Sequence, residues 1–175
     1  MSNGRIVTVA SAEDMREYGR ALGAALQAGD VIMLNGPLGA GKTTFTQGIA
    51  QGMGVKERIT SPTYVIAVTH RTPEGAPNLV HVDAYRLADF DEFDDIDLDS
   101  ALDDSVIVIE WGQGKAEPLS ADRLDISIER PTGAADKESV DDLFGDAPRR
   151  LSLRATGERS QLLADTLMQK YKEGQ

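Results

Sequence analysis

Gly36-Pro37-Leu38-Gly39-Ala40-Gly41-Lys42-Thr43 fits the pattern G-x-x-x-x-G-K-[ST], and what flanks it decides the fold. Before it, Val31, Ile32, Met33 and Leu34 form a short continuous apolar run of the kind buried on both faces of a sheet. After it, Phe45, Ile49 and Met53 recur at i, i+4 and i+8, which predicts a helix from about Lys42 that stops at Gly54. Strand, glycine loop and helix in this order make a phosphate cradle. Glycines let the backbone bend until successive N–H groups point inward, and the helix N-terminus adds its partial positive charge. The candidate nucleotide-binding residues are therefore Gly36, Pro37, Leu38, Gly39, Ala40, Gly41, Lys42, Thr43 and Thr44. Lys42 would reach the β- and γ-phosphates, Thr43 would place its hydroxyl on Mg²⁺, and Thr44 would bond a phosphate nearer the sugar.

Outward from the loop, residues 5–10 alternate as a strand. Ser11 and Asp14 offer a capping signal before Met15, Tyr18, Leu22 and Leu26, which share one helical face that Gly29 is expected to close. Residues 64–71 and 79–86 read as strands joined by Thr72-Pro73-Glu74-Gly75-Ala76-Pro77-Asn78, an antiparallel hairpin. Residues 89–104 hold nine acidic side chains among 16, with Phe90, Phe93, Ile96, Leu98, Ala101 and Leu102 between them, which suits short amphipathic helices with a solvated outer face. Residues 106–109 form a second buried-strand run ending in Glu110-Trp111. Residues 124–129 and 150–155 alternate as strands, the latter before a helix carrying Leu162, Leu163 and Leu167. The polar, acidic residues 131–148 read as a mobile loop. The expected architecture is a single α/β domain over residues 1–175, a three-layer P-loop NTPase-like fold whose mainly parallel sheet carries an antiparallel hairpin.

Composition narrows the chemistry. The 18 Lys and Arg against 29 Asp and Glu give a net charge of −11, which opposes broad binding to a phosphate backbone, so a nucleic-acid role would have to be indirect or local. There is no cysteine, and the only histidines are His70 and His81, so disulfides and thiolate zinc sites are excluded and any metal should be hard and oxygen-liganded. No apolar run approaches the roughly 18 residues of a membrane span, and the first residues lack the long apolar stretch of a signal peptide. A soluble, cytoplasmic protein without a membrane role is expected.

Mg²⁺ is usually held by one or two carboxylates together with phosphates and waters. Two residues compete for that place, Asp83 and Glu110, each closing a mainly apolar strand. Composition does not rank them. ATP is favoured over GTP, since no Asn-Lys-x-Asp segment is present and the one Asp-x-x-Gly match, at residues 142–145, follows no apolar strand.

Four motifs in order resemble the TsaE family, small ATPases of bacterial tRNA threonylcarbamoyladenosine synthesis. They are residues 36–44 (GPLGAGKTT), Thr60-Ser61-Pro62-Thr63, His81-Val82-Asp83-Ala84-Tyr85-Arg86 (H-x-D-x-Y-R), and Glu110-Trp111. The resemblance implies Thr43 and Glu110 as Mg²⁺ ligands. It puts Asp83 near the γ-phosphate, orienting a water or meeting the metal through one, so that Lys42, Asp83 and Glu110 form the catalytic set. It makes Thr60, Ser61, Pro62 and Thr63 a switch-like segment. Tyr85, Arg86 and Trp111 read either as packing and surface groups or, on the family view, as a working rim for partners. His81 reads as a buried histidine with a backbone partner. The implied partners are TsaD and TsaB, whose complex transfers the threonylcarbamoyl group. The other readings of the loop are a small-molecule kinase and a nucleotide-dependent switch that needs no hydrolysis. Ser11 and Thr156, at strand-to-helix junctions, are candidates for the adenine pocket.

Overall fold

The computed structural model describes residues 5–62, 66–130 and 147–175. Their strands are β1 (Arg5–Val9), β2 (Val31–Asn35), β3 (Ala67–His70), β4 (Asn78–Asp83), β5 (Ser105–Glu110), β6 (Leu124–Glu129) and β7 (Arg149–Ala155), all in one seven-stranded sheet of order β1-β7-β6-β2-β5-β4-β3. The helices are α1 (Ala12–Ala25), α2 (Lys42–Met53), α3 (Phe90–Asp94) and α4 (Glu158–Glu173), with 3₁₀ turns at Asp99–Asp103 and Glu117–Leu119.

The centre of the sheet is parallel: β2 pairs with β5 and β6, and β5 with β4. This explains the unbroken apolar run of β2. Ile32 and Leu34 join one core with Met15, Leu22, Phe45, Ile49, Leu163 and Leu167 of α1, α2 and α4, while Val31 and Met33 join the opposite core with Phe93, Leu98 and Ala116. Both faces are covered, so neither side of the strand carries polar groups. The expected hairpin is β3–β4, and β6–β7–β1 add a second antiparallel region on the other side.

Helices α1 and α2 pack backbone to backbone through Gly19 and Gly23 on one and Gly48 and Gly52 on the other. A Cβ on Gly23 would stand 2.2 Å from the Ile49 carbonyl oxygen, and one on Gly52 the same 2.2 Å from that of Arg20. The contact ties α1 to the helix that follows the glycine loop. At its start α1 is capped as expected, with Asp14 N donating to Ser11 Oγ at 3.1 Å.

One local expectation is corrected. The first helix ends at Ala25 with Leu26 as its C-cap, and Gly29 instead makes a later turn with φ 94°. Of the three leucines named on the last helix, Leu163 and Leu167 are buried, together with Ser160 and Ala164, whereas Leu162 is 58% exposed on the outer side of α4. Tyr64, placed in the third strand, and residues 131–146 of the expected mobile loop lie outside the described residues.

Strand direction places the functional groups. Because β2, β4 and β5 are parallel, Asn35, Asp83 and Glu110 end at one edge of the sheet, with Asp83 in register with Glu110. β7 runs the opposite way, so its first residue, Arg149, arrives at that edge. β1, antiparallel to β7, delivers Ser11 there as well.

Candidate nucleotide site

A cavity of about 570 Å³ opens at this edge, lined by the loop from Leu38 to Thr44, by Ser11, Ala12 and Met15, and by Ser61, Asp83, Tyr85, Glu110, Trp111, Ala147 and Arg149. The placement is the one expected at the carboxyl ends of parallel strands. Gly39 (φ 79°) and Gly41 (φ 109°) take the left-handed conformations that a turned-in loop needs. Gly41 is the N-cap of α2, offers no side chain to the first-turn N–H groups, and is followed by no acidic residue in that turn. An uncapped helix start with no carboxylate of its own is suited to an external anion.

Lys42 is buried, 6% exposed. Its Nζ donates to the carbonyl oxygens of Gly36 at 2.6 Å and Pro37 at 3.0 Å, and lies 4.0 Å from the centre of the Trp111 ring. Burial holds this ammonium below the usual lysine range, against the pull of the Glu110 and Asp83 carboxylates. Trp111 has φ 61°, an uncommon conformation for a bulky residue, which turns its ring toward Lys42. Tyr85, 66% exposed, meets it edge-on at 5.1 Å between ring centres.

Glu110 is 3% exposed, and both its oxygens are engaged. Oε1 accepts from Thr43 Oγ1 at 3.2 Å, and Oε2 is 2.5 Å from His81 Nε2. The buried His81 is thus corrected: its partner is a carboxylate and not the backbone, because in the parallel register it lies diagonally beside Glu110. Asp83 Oδ1 accepts from Tyr85 N at 2.9 Å, which fixes the carboxylate at the cavity wall. Among the described residues, no group of three or more His, Cys, Asp or Glu side chains is placed to hold a metal. The hydroxyl of Thr43 and the carboxylate of Glu110 nevertheless make an adjoining pair of hard oxygens, a set that fits Mg²⁺ when phosphate and water complete its shell.

The structure brings together Leu38, Gly39, Ala40, Gly41, Lys42, Thr43, Thr44, Ser61, Asp83, Tyr85, Glu110 and Trp111, with Ser11 from the adenine candidates. Gly36 and Pro37 do not line the cavity; they supply the carbonyls under Lys42, and Gly36 packs where a Cβ would come 2.6 Å from the Ile128 carbonyl oxygen. Thr60, Pro62 and Arg86 stand outside the lining, and Thr63 lies outside the described residues. Thr156 is far from the site, since antiparallel β7 carries it to the opposite sheet edge, where its hydroxyl binds the Ala121 carbonyl at 2.8 Å.

Sequence reasoning missed Arg149. Buried at 6% exposure, it donates from Nε to Ala40 O at 3.2 Å and from Nη2 to Gly39 O at 3.3 Å, gripping the loop from its carbonyl side. No motif marks it, and it follows the least patterned stretch of the chain. Only the direction of β7 reveals it.

Residues 9–138 match the family model described as "Threonylcarbamoyl adenosine biosynthesis protein TsaE". The chain belongs to the TsaE family. A TsaE relative from Streptomyces coelicolor, named as a tRNA threonylcarbamoyladenosine biosynthesis protein, is 50% identical over 146 residues, 83% of this chain and 93% of its own. The Bacillus subtilis relative of the same name is 34% identical over 156 residues, 89% of this chain and 88% of its own. In three dimensions the chain is similar to the crystal structure of Bacillus subtilis YdiB, with a TM-score of 0.72 and 28% identity over 97% of each chain. The TsaE match includes the glycine loop, Asp83, Glu110 and Trp111 and stops short of Arg149. No helix among the described residues is long and apolar enough to cross a membrane.

Proposed function

We propose that this TsaE-family chain is a cytoplasmic Mg²⁺-dependent ATPase that supports threonylcarbamoyl modification of the tRNA adenosine beside the anticodon by acting on a TsaB–TsaD complex. The observation that carries the reading is the meeting of Lys42, Thr43, Asp83 and Glu110 around one cavity in a chain of this family. Lys42 would exchange its carbonyl partners for the β- and γ-phosphate oxygens, while the loop N–H groups and the start of α2 hold the rest of the polyphosphate. Thr43 and Glu110 would hold Mg²⁺, which when bound neutralises phosphate charge. Asp83 would orient the attacking water, its own direction set by the Tyr85 N–H. The apolar side chains of Ala12, Met15 and Ala147 in the cavity lining suit the base.

The net charge of −11 supports contact with proteins and nucleotide over direct binding of tRNA. The exposed Leu38 and Tyr85 stand at the rim, where a partner would sense the nucleotide.

The test is phosphate release from ATP with and without purified TsaB and TsaD, comparing the chain with Lys42→Ala. Partner-stimulated release that Lys42→Ala abolishes is the expected result. ATP-dependent docking that survives loss of hydrolysis in Glu110→Ala would favour the switch, and a phosphorylated acceptor would favour the kinase. Tight Mg²⁺–ATP binding with no stimulation and no complex would refute the partner assignment.

A further inference from the structure

His81 is wholly buried, and its only hydrogen bond among the described residues is the one from Nε2 to Glu110; Nδ1 has no partner. In the parallel pairing of β4 with β5, His81 stands in register with Val108 and Asp83 with Glu110. Successive side chains alternate between faces, so His81, Asp83 and Glu110 all project to one side, with His81 one step deeper into the sheet. The histidine therefore reaches Oε2 of Glu110 from below, while Thr43 takes Oε1 from the cavity side.

A glutamate has three side-chain torsions, and one that is 3% exposed has little water to hold it in place. Something in the protein must fix the plane of its carboxylate if Oε1 is to stay beside the Thr43 hydroxyl. Among the described residues, that carboxylate has only Thr43 and His81 as hydrogen-bond partners.

We propose that His81 is the positioning residue for Glu110: its Nε2 pins Oε2 so that Oε1 and Thr43 Oγ1 form a ready-made pair of oxygens for the divalent cation. The inference rests on the reading of Thr43 and Glu110 as Mg²⁺ ligands. Partners that orient a ligating side chain are commonly worth about 10–100-fold in metal affinity, so the effect is measurable.

Geometry supplies a discriminating pair of variants. The amide nitrogen of glutamine falls near the place of Nε2, three bonds from Cβ, whereas that of asparagine falls near Nδ1, two bonds from Cβ, where there is no acceptor. In the full chain saturated with ADP, Mg²⁺ is titrated calorimetrically into wild type, His81→Gln, His81→Asn and Glu110→Gln, and ADP affinity is measured in EDTA. Expected are Mg²⁺ binding about 10–100-fold weaker in His81→Asn, recovery to within about threefold in His81→Gln, and unchanged ADP affinity without metal in both. Wild-type Mg²⁺ affinity in His81→Asn, with Glu110→Gln weakened, would overturn the inference and leave the metal assignment standing. Unweakened Mg²⁺ binding in Glu110→Gln would overturn the metal assignment itself. Should His81→Asn not fold, ¹⁵N-histidine spectra of the unsubstituted protein decide. An Nε2–H signal of His81 that stays hydrogen-bonded when Mg²⁺ and ADP are added supports the inference, and its release on adding Mg²⁺ overturns it.

Discussion

Replacing Gly23 or Gly52 by alanine tests the close crossing on which the cavity depends. Each new Cβ would stand 2.2 Å from a backbone carbonyl oxygen of the facing helix, that of Ile49 or Arg20. Carbon and oxygen settle at roughly 3.3 Å or more, so the helices must part by about 1 Å. The obstacle is backbone and cannot swing aside, which puts the cost near 3 kcal/mol, the upper end for overpacking. Alanine returns about 1 kcal/mol through its better helix propensity, leaving a net loss of about 2 kcal/mol for each single variant. With a urea dependence of about 1–3 kcal/mol/M, the midpoint of denaturation should fall by about 1 M. The double variant should lose only about 1 kcal/mol and not the additive ~4, since one separation of the helices relieves both clashes while each alanine still returns its own propensity gain. ADP affinity should fall too, because Ser11, Ala12 and Met15 at the start of α1 and Lys42 and Thr43 of α2 line the same cavity. The assay is urea denaturation followed by circular dichroism, with ADP titrations alongside. Neutral or stabilised single variants, or full additivity, would refute the backbone contact.

Two further outcomes follow from single residues. Arg149→Met leaves the Gly39 and Ala40 carbonyls without their guanidinium and should weaken ADP binding about tenfold, the equivalent of ~1.4 kcal/mol; Arg149→Lys should recover only part, because a compact ammonium does not span both oxygens. Unchanged ADP affinity in a calorimetric titration of Arg149→Met would sink this account. Asp122 stands in for the side chain that Gly157 lacks at the start of α4, accepting from the N–H groups of Arg159 at 2.8 Å and Ser160 at 2.9 Å. Hydrogen bonds from Ser160, and then from Arg159, hold its carboxyl below the usual aspartate range. The unfolded chain therefore binds the proton more readily, so this stabilisation is present above the ordinary aspartate pKa and is lost as pH falls through the lowered value. Asp122→Ala should cost about 1 kcal/mol at neutral pH, and the gap to wild type in urea midpoint should close on acidification; a gap independent of pH would contradict the assignment.

Much of the site was legible because its chemistry is local. The glycine loop, Lys42 and Thr43 are adjacent in sequence, and β2 and α2 on either side declare themselves by apolar period. Asp83 and Glu110 were visible as acids closing apolar strands, since an acid at the exposed end of a buried strand needs no partner to be noticed. The lip of the cavity was less legible. Thr60, Pro62 and Arg86 share motifs with Ser61 and Tyr85, yet only the latter two line it. A one-residue step along an irregular segment turns a side chain elsewhere, and no period records that turn.

What the sequence determined by itself is thus the parallel centre, the loop, the two carboxylates and the family to which they belong. Tertiary structure alone decided the rest: the grip of Arg149, the pairing of His81 with Glu110, and the exclusion of Thr156. Each depends on strand direction and register, which bring residues 29 to 110 positions apart into contact. The same residue types at the same spacing would give a different site if β7 ran the other way, because Arg149 and Thr156 would then exchange edges.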